Sequence, residues 1–399
     1  MMSSTADQPA SSSAIPFDSA RLDRLMEEAG VDILLATSKH NVQYMLGGHR
    51  AQFFGFMDAI GISRYLPIVI YPKGAPQKAV YIGHRTECYQ LEVRPFWLET
   101  RAVSTGSTDA MDLAAAAIKR LGVPARRLGI ERAFLPVDAA ETLAKAFPES
   151  GLVEALYVLE RLRAVKSADE LAKLRDASER IIDSMLAVIE SHGPGTTKRE
   201  LSEALRREET NRGMDFEYCL ITAGQSVNRA ATDQAWQKGD PLSLDSGGNY
   251  QGYIGDLCRM AVLGEPDAEL EDLLGVVDKI QQTAIKPVRA GLEGGEIFAV
   301  ADEALLATPM HNHMHFMAHG MGMIGHEAPR LPSKGRQSYP PADAKRPLET
   351  GMVLSLETTL EHPRRGFIKL EDTVAVTENG SEMFGTRARG WNRGGIALG

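Results

Sequence analysis

The chain has 399 residues, 43% of them hydrophobic and 24% charged, and its formal net charge is −9. This length predicts two or three domains, of which two are expected here, and the composition excludes a disordered or fibrous protein. The acidic balance argues against nucleic acid as a partner, since that binding depends on Lys and Arg neutralising phosphates. No apolar run approaches the ~18–20 residues that a membrane span requires, so no membrane partner is expected either.

The N-terminal segment, residues 1–15, is rich in Ser, Ala and Pro and is predicted to be a disordered tail. It lacks the basic and apolar regions of a secretory signal. The three cysteines, Cys88, Cys219 and Cys258, form no spaced framework, and their odd number fits a reducing compartment. We therefore expect a cytoplasmic protein whose thiols are structural.

Residues 16–160 alternate between helix-like and strand-like segments, which is typical of an α/β domain with a mixed sheet. Helices are predicted over residues 19–29, 109–121 and 137–146, and strands over residues 31–36, 66–71, 79–82 and 128–130. No motif in this region points to a particular chemistry.

Residues 161–390 form the second predicted domain, and helix signals mark its start. Ser167 and Glu170 form a capping box that opens a long amphipathic helix to about His192. Three further helix signals follow: a second box from Thr197 to Glu200, Pro266 near the start of a helix over residues 267–289, where it suits a proline at the first helical position, and a helix near Glu296. These helices are expected to pack over a sheet that carries two hairpins.

The first hairpin is predicted over residues 242–259, where two extended runs are joined by a Gly-rich connection centred near Tyr250. If it folds about that centre, Asp245 and Asp256 face each other with their Cβ atoms roughly 4.5–5.5 Å apart. Two like charges at that distance repel each other. A divalent cation between them removes the repulsion, and carboxylate oxygens suit such an ion.

A second hairpin of the same kind has its turn at residues 362–366 and opposes Glu357 to Glu371. Between the two hairpins, the twelve residues from His315 to His326 hold three of the ten histidines of the chain, His315, His319 and His326. One of them supplies an imidazole ligand, and the others can handle protons. Four carboxylates and one imidazole predict a hydrolytic site with two metal ions.

Two Asp, one His and two Glu in this chain order resemble the catalytic domain of the creatinase, aminopeptidase P, prolidase and methionine aminopeptidase family. The resemblance covers about residues 160–385, and residues 16–155 resemble the smaller N-terminal domain of the creatinase and prolidase members. It implies an α/β (α+β) chain in which a creatinase-like α/β domain precedes a pita-bread catalytic domain. It also implies a homodimer, and a polar linker that includes Arg163, Lys166 and Glu170.

The resemblance further implies roles for the site residues. Two divalent ions, each Mn, Co, Zn or Fe, would share Asp256 and Glu371, with Asp245 completing one ion site and His319 with Glu357 completing the other. Glu357 would pass a proton to the leaving nitrogen, and His326 would stabilise the oxyanion. The implied metal ligands are Asp245, Asp256, His319, Glu357 and Glu371, and the implied catalytic residues are Glu357, His326 and His315.

Each residue also has a simpler interpretation. A single acidic residue at a strand end is more often a solvated charge or a turn cap than a ligand, and five in the family order change that balance. Alone, His315 would be a core histidine, but it lies four residues before His319, and His326 lies seven after it. These spacings resemble those of substrate-facing histidines in aminopeptidase P and prolidase, whereas His311 and His313 are interpreted as loop residues.

The segment from Gly320 to Gly325 satisfies G-x-G-x-x-G. We interpret it as neither following a clear strand nor opening a helix, which makes dinucleotide binding a weak hypothesis. Glycines here instead let the backbone approach the metal site. Five methionines in this region, at positions 310, 314, 317, 321 and 323, are expected to fill the core.

Several positions depart from the peptidase pattern. Asn228 and Arg229 stand where family peptidases carry a His, Glu357 is followed by Thr-Thr instead of Pro-Gly, and Lys369 replaces an Arg. We expect these changes to alter the pocket more than the metal cage. Ser246 follows the first ligand where the sulfonium lyases of the family would carry an Asp.

The first functional hypothesis is a metal-dependent hydrolase of C–N bonds, most simply an Xaa-Pro peptidase acting on small peptides. The second is a small-molecule amide or amidine hydrolase of the creatinase or ectoine hydrolase type. The third is a non-catalytic binding module on the peptidase fold. Metal analysis separates the third from the others, and the substrate separates the first two.

Overall fold

The computed structural model describes residues 14–50, 65–88, 97, 98, 100–331 and 340–395. Most of the predicted N-terminal tail, residues 1–13, lies outside these ranges. The chain forms two compact units, Met1–Leu162 and Arg163–Gly399. Each unit combines helices with a sheet, which confirms the predicted α/β class.

A six-stranded sheet forms the first unit, in the order β4-β3-β2-β1-β5-β6. β1 pairs antiparallel with β2 and parallel with β5, so the sheet is mixed, as predicted. Apolar side chains from these strands and the neighbouring helices form one core. The strands are β1 (Ile33–Ala36), β2 (Ile68–Pro72), β3 (Val80–His84), β4 (Thr100–Ser104), β5 (Arg127–Ile130) and β6 (Gly151–Glu154).

Within the described part of this unit, five α-helices begin. The predicted first helix has Asp18 as its N-cap, which accepts a hydrogen bond from the Arg21 amide, and it ends at Gly30, whose φ of 65° is left-handed. The helices are α1 (Ser19–Ala29), α2 (Lys39–Met45), α3 (Ser107–Arg120), α4 (Val137–Ala146) and α5 (Leu156–Ala164).

The short helix α2 was not predicted, although it has a local N-cap: Ser38 Oγ accepts a hydrogen bond from the Asn41 amide at 3.3 Å. A residue distant in the sequence holds the same turn. The buried carboxylate of Glu131 accepts hydrogen bonds from the Ser38 amide and from the Asn41 side chain, and Ser38 Oγ donates to it at 2.6 Å. This tertiary contact adds to the local cap and has no local signal in the sequence.

The second unit is built on an eight-stranded sheet whose continuous path is β10-β11-β12-β9-β8-β7. β13 pairs with β12, and β14 pairs with β9 in parallel, while the remaining pairs are antiparallel. The strands are β7 (Asp215–Ala223), β8 (Pro241–Tyr250), β9 (Tyr253–Leu263), β10 (Met314–Gly320), β11 (Val353–His362), β12 (Gly366–Val376), β13 (Ser381–Phe384) and β14 (Asn392–Gly394).

Four long helices pack on this sheet: α6 (Ala168–Ser191), α7 (Lys198–Asn211), α8 (Ala268–Ile285) and α9 (Gly294–Leu306). Both predicted capping boxes are confirmed. Pro266 precedes the N-cap Asp267, so its predicted place at the first helical position is wrong. α8 also ends earlier than predicted, since Pro287 lacks the N–H that a continuing helix needs. Within the described ranges, none of the helices has the length and apolar character to cross a bilayer.

The first hairpin, β8–β9, differs from its predicted register. Asp245 pairs with Cys258 and Asp256 pairs with Gly247, so the two carboxylates are diagonal neighbours rather than facing ones. The cause is the turn: a two-residue connection, Gln251 and Gly252, takes positive φ values of 54° and 93° and moves the centre of the hairpin. Because the shift is two residues, both carboxylates still lie on one face.

The second hairpin, β11–β12, has the predicted register. Glu357 pairs with Glu371, and the turn closes between His362 and Gly366. β12 also pairs with β9, where Glu371 lies opposite Cys258. The two hairpins therefore join edge to edge, and their acidic residues fall on adjacent strands.

Candidate metal centre

A cavity of about 500 Å³ opens on one face of the eight-stranded sheet. Side chains along a strand alternate between faces, and six strands send alternate residues into this cavity. From the strands, these residues are Tyr218, Leu220, Asp245, Asp256, His315, Met317, His319, Glu357, Thr359, Glu361, Phe367, Lys369 and Glu371. The period of two therefore brings residues from distant parts of the chain to one place.

All five sequence-predicted ligands and both further histidines line this cavity. The five ligands are buried, with at most 6% of each residue exposed. Donor atoms of Asp256, His319 and Glu371 lie within 4.8 Å of one another. Glu357 Oε1 is 3.5 Å from His319 Nε2, which is too long for a good hydrogen bond.

Whether these residues fit a cation depends on three buried atoms that could act as metal ligands. Asp256 Oδ1, His319 Nε2 and Glu371 Oε2 have no hydrogen-bond partner in the part of the chain that the structure describes. Lys369 Nζ is 2.7 Å from Glu371 Oε2, but not in hydrogen-bonding geometry. Unsatisfied buried polar atoms cost about 1–3 kcal/mol each, and one cation would satisfy all three. The residues present fit a metal ion.

Two hydrogen bonds orient these donors. His319 Nδ1 lies 3.3 Å from the Gly320 carbonyl oxygen, which turns Nε2 toward the carboxylates. Ser355 Oγ donates to Glu371 Oε1 at 2.7 Å and leaves Oε2 for a ligand. Held in this way, the donors do not rearrange freely.

Lys369 occupies the middle of the carboxylate group, which the sequence interpretation did not foresee. Its Nζ is 2.6 Å from Asp245 Oδ2 and 2.7 Å from Glu371 Oε2, and it also contacts Glu357 Oε2. Arg229 contacts Asp245 Oδ2 as well. The expectation that these departures spare the metal cage is therefore wrong for Lys369 and Arg229. Lys369 lies two residues before Glu371 on the same strand, so the two side chains point to the same face of the sheet. This spacing could have predicted from the sequence that Lys369 lies beside the ligands.

Charge and burial set the protonation of the cage. Burial raises the pKa of Asp256 well above its usual range, and the neighbouring Glu371 and Asp245 carboxylates add to it. Burial and Glu357 raise the pKa of Glu371 to about 7. Burial also opposes ionisation of Glu357, but Lys369 and His319 outweigh it and lower that pKa. Carboxylates this close together repel one another when ionised, and additional positive charge would stabilise their ionised forms.

The three histidines differ in their surroundings. The ring of His326 stacks on that of His319, with centroids 3.7 Å apart. Burial and His319 lower the pKa of His326 to about 3, so it is neutral at pH 7. His315 lines the cavity from β10, whereas His311 and His313 are exposed on a short 3-10 turn.

The residue after His326 fixes the loop that carries it. Glu327 is buried, and its carboxylate forms two ion pairs: Oε2 lies 2.9 Å from the Arg163 guanidinium, and Oε1 lies 3.1 Å from Lys166 Nζ. Arg163 and Lys166, two residues of the polar linker that the resemblance implies, are themselves buried. This ion triad was missed from the sequence, because Glu327 lies more than 160 positions from both cations.

The glycine segment from Gly320 to Gly325 begins at the last residue of strand β10, contrary to the sequence interpretation, but among the described residues no helix opens from it. A Cβ at Gly320 would lie 2.3 Å from the Ala328 backbone, and one at Gly322 would lie 2.4 Å from Glu327 Oε1. Close chain packing therefore requires these glycines. Gly325 is the one near the cage, with its Cβ position 3.6 Å from Asp256 Oδ2.

The five methionines do not share one role. Met314, Met321 and Met323 are buried as expected. Met317 instead lines the cavity between His315 and His319, so the expectation of core filler fails for this residue.

Glu209, on α7, is a buried carboxyl behind the ligand strand β8. Its Oε1 accepts a hydrogen bond from Ser246 Oγ at 2.7 Å, while Oε2 has no hydrogen-bond partner among the described residues. Burial raises the pKa of Glu209 to about 7. The folded chain therefore favours the protonated form.

Replacing Glu209 by Gln is expected to stabilise the protein at pH 8 by about 1–3 kcal/mol. Because the folded pKa exceeds the ordinary value of 4.5, ionisation costs stability as the pH rises from 4.5 to about 7. The gain should be absent at pH 4 and complete above pH 7. Thermal melts across this range measure it, with the exposed Glu203→Gln as control. A variant less stable than the parent at pH 8 would contradict the argument.

A buried carboxylate and imidazole cage that fits cations, on a sheet backed by helices, defines a metal-dependent hydrolase. Two family models match: Metallopeptidase family M24 over residues 172–378, and Creatinase/Prolidase N-terminal domain over residues 19–165. The chain belongs to metallopeptidase family M24. This confirms both the resemblance and the expected architecture.

Individual relatives agree with this assignment. The "Uncharacterized peptidase YqhT" of Bacillus subtilis is 26% identical over 372 residues, which are 91% of this chain and 96% of that protein. An "Xaa-Pro dipeptidase" of Pyrococcus horikoshii is 26% identical over 265 residues, covering 65% and 73% of the two chains.

Solved structures share the fold. The Xaa-Pro dipeptidase from Bacillus anthracis superposes with a TM-score of 0.79 at 22% identity, covering 94% of this chain and 98% of that one. The X-Pro aminopeptidase from Thermotoga maritima has a TM-score of 0.73 at 21% identity, with coverage of 94% and 99%. At these identities the likeness concerns the fold alone.

Proposed function

We propose that this metal-dependent hydrolase is an Xaa-Pro peptidase acting on short peptides. The observation that carries the proposal is a cavity lined by five carboxylates and by His315, His319 and His326. Relatives named Xaa-Pro dipeptidase support the choice of substrate.

Asp256, His319 and Glu371 are the residues that would hold a divalent cation, since their donor atoms are close together and lack hydrogen-bond partners among the described residues. Such a cation supplies Lewis acidity and lowers the pKa of water from 15.7 toward about 7. The identity of the ion is open to Mn, Co, Zn or Fe, because oxygen-rich cages accept several metals.

Glu357 and His326 would handle the proton and the substrate oxygen. Glu357 would accept a proton from water and deliver it to the leaving nitrogen. Burial opposes its ionisation, but Lys369 and His319 lower its pKa and keep its carboxylate ionised at neutral pH. His326 is neutral there, and its ring N–H can donate to the developing oxyanion. His315, on the same cavity wall, would contact the substrate.

A second candidate is hydrolysis of a small amide or amidine that is not a peptide. Arg229 favours it, because it lines the cavity where family peptidases carry a His, and its guanidinium carbon lies 5.2 Å from the Phe367 ring centroid. The adjacent Asn228 does not support this candidate, since its Oδ1 accepts a hydrogen bond from the Ala230 amide.

The test is hydrolysis by the full-length protein with added Mn²⁺ or Co²⁺. Ala-Pro and Xaa-Pro-Xaa peptides should be cleaved, Ala-Ala peptides should not, and EDTA should remove the activity until metal is restored. Cyclic and N-methylated amides form the second panel. Inertness toward every proline peptide, together with turnover of an amide, would replace the first candidate by the second. Activity that survives complete chelation would overturn both.

A further inference from the structure

Lys369 stands inside the ligand group as a buried cation. Its ammonium has three donors and approaches three carboxylates: those of Asp245, Glu357 and Glu371. Only 3% of the residue is exposed. A buried ammonium in contact with three carboxylates carries out part of the charge neutralisation that a second metal ion would provide.

Asp245 is the ligand most affected. Its Oδ2 forms ion pairs with Lys369 Nζ, at 2.6 Å, and with the Arg229 guanidinium. A carboxylate that already holds two cationic side chains is a weak ligand for a third cation. Asp245 therefore stands apart from Asp256, His319 and Glu371, whose donor atoms form the group that fits an ion.

Two positive side chains already offset part of the carboxylate charge. The cavity is lined by two cations, Lys369 and Arg229, and by the carboxylates of Asp245, Asp256, Glu357, Glu361 and Glu371. Lys369 is buried together with four of these carboxylates, those of Asp245, Asp256, Glu357 and Glu371. Each cationic side chain that contacts a carboxylate reduces the negative charge that would attract a second divalent ion.

We propose that this centre binds one divalent cation, on Asp256, His319 and Glu371, and that the Lys369 ammonium takes the place of a second cation between Asp245 and Glu357. This replaces the expectation of two ions. It rests on the proposed role of the cavity in metal-dependent hydrolysis, but it does not depend on which amide is cleaved.

The experiment is a count of bound Mn²⁺ on the full-length protein, by titration calorimetry and by elemental analysis after gel filtration. The wild type should bind one Mn²⁺ per chain, with the electron paramagnetic resonance spectrum of an isolated ion. Lys369→Met keeps much of the side-chain length and removes the charge. It should bind a second Mn²⁺ at least about 100-fold more tightly than the wild type does, and should show a spin-coupled pair.

The matched control is Lys198→Met, which removes another buried lysine of the same unit, whose partners are the carbonyl oxygens of Ile221 and Asn228. It should still bind one ion. Two tight ions in the wild type, or none, would overturn the proposal even if the variants fail to fold. One ion in both wild type and Lys369→Met would show that Lys369 does not replace a metal. Because the readout is bound metal, a protein inert toward Xaa-Pro peptides leaves this test intact.

Discussion

Replacing Glu371 by Gln is expected to lower kcat/KM for peptide hydrolysis by about 10³ or more, equivalent to about 4 kcal/mol of transition-state stabilisation. Glu371 belongs to the group of three donors that fits a cation, and it also lies 2.7 Å from Lys369 Nζ. Gln preserves the hydrogen bond from Ser355 but removes the charge that both contacts use. Steady-state kinetics, with bound Mn²⁺ measured on the same preparation, test the prediction.

Glu265→Gln is the matched control, because Glu265 is an exposed carboxylate of the same unit, paired with Arg393 at the surface. It should keep both the activity and the bound metal of the parent. Undiminished turnover by a folded Glu371→Gln variant would remove this residue from the metal centre.

Glu327→Gln should lower the free energy of unfolding at pH 7 by about 3–5 kcal/mol, the usual cost of breaking a buried ion pair. Its carboxylate lies between the buried cations Arg163 and Lys166, and the amide would leave both without a countercharge. Although burial opposes its ionisation, these two cations hold the pKa of Glu327 below its usual range. Urea denaturation of the second unit measures the effect.

The stability difference between Glu327→Gln and the parent should also depend on pH, in a direction set by the lowered pKa of Glu327. A carboxyl whose folded pKa is lowered stabilises the protein above the pKa of the unfolded chain, and that stability is lost as the pH falls through the folded value. The difference between Glu327→Gln and the parent should therefore be largest at neutral pH and shrink under acid. Glu382→Gln, in an exposed pair with Arg175, should change stability by less than about 1 kcal/mol. Equal losses in the two variants would refute the role of burial.

Regular patterns in the sequence predicted much of this molecule. The helix from Ser167 and its capping box were visible because each cap lies within four residues of its partner. The facing pair of Glu357 and Glu371 followed from a turn whose centre could be located. The Asp245 and Asp256 register was wrong because a connection rich in glycine can turn at several positions, and only the folded chain selects Gln251 and Gly252.

Contacts between distant segments were not predictable in the same way. The triad pairs Glu327 with two cations that are distant in the sequence, Arg163 and Lys166, and the contacts of Glu131 at the start of α2 are of the same kind. Lys369 was noticed as a departure from the family pattern, but its contact with Asp245 depends on the pairing of β9 with β12. Strand order across a sheet is set by tertiary packing.

The pairing of β8, β9, β11 and β12 also means that the carboxylates of the site take up their positions as the sheet folds. Backbone hydrogen bonds along these strands fix Asp245, Asp256, Glu357 and Glu371 during folding, so the entropy of arranging them is lost before an ion arrives. In this respect the chain is unlike a zinc finger, which acquires its shape from the metal. We therefore expect that removing a bound ion would leave the site in the same shape, and that an ion would bind again without refolding of the chain.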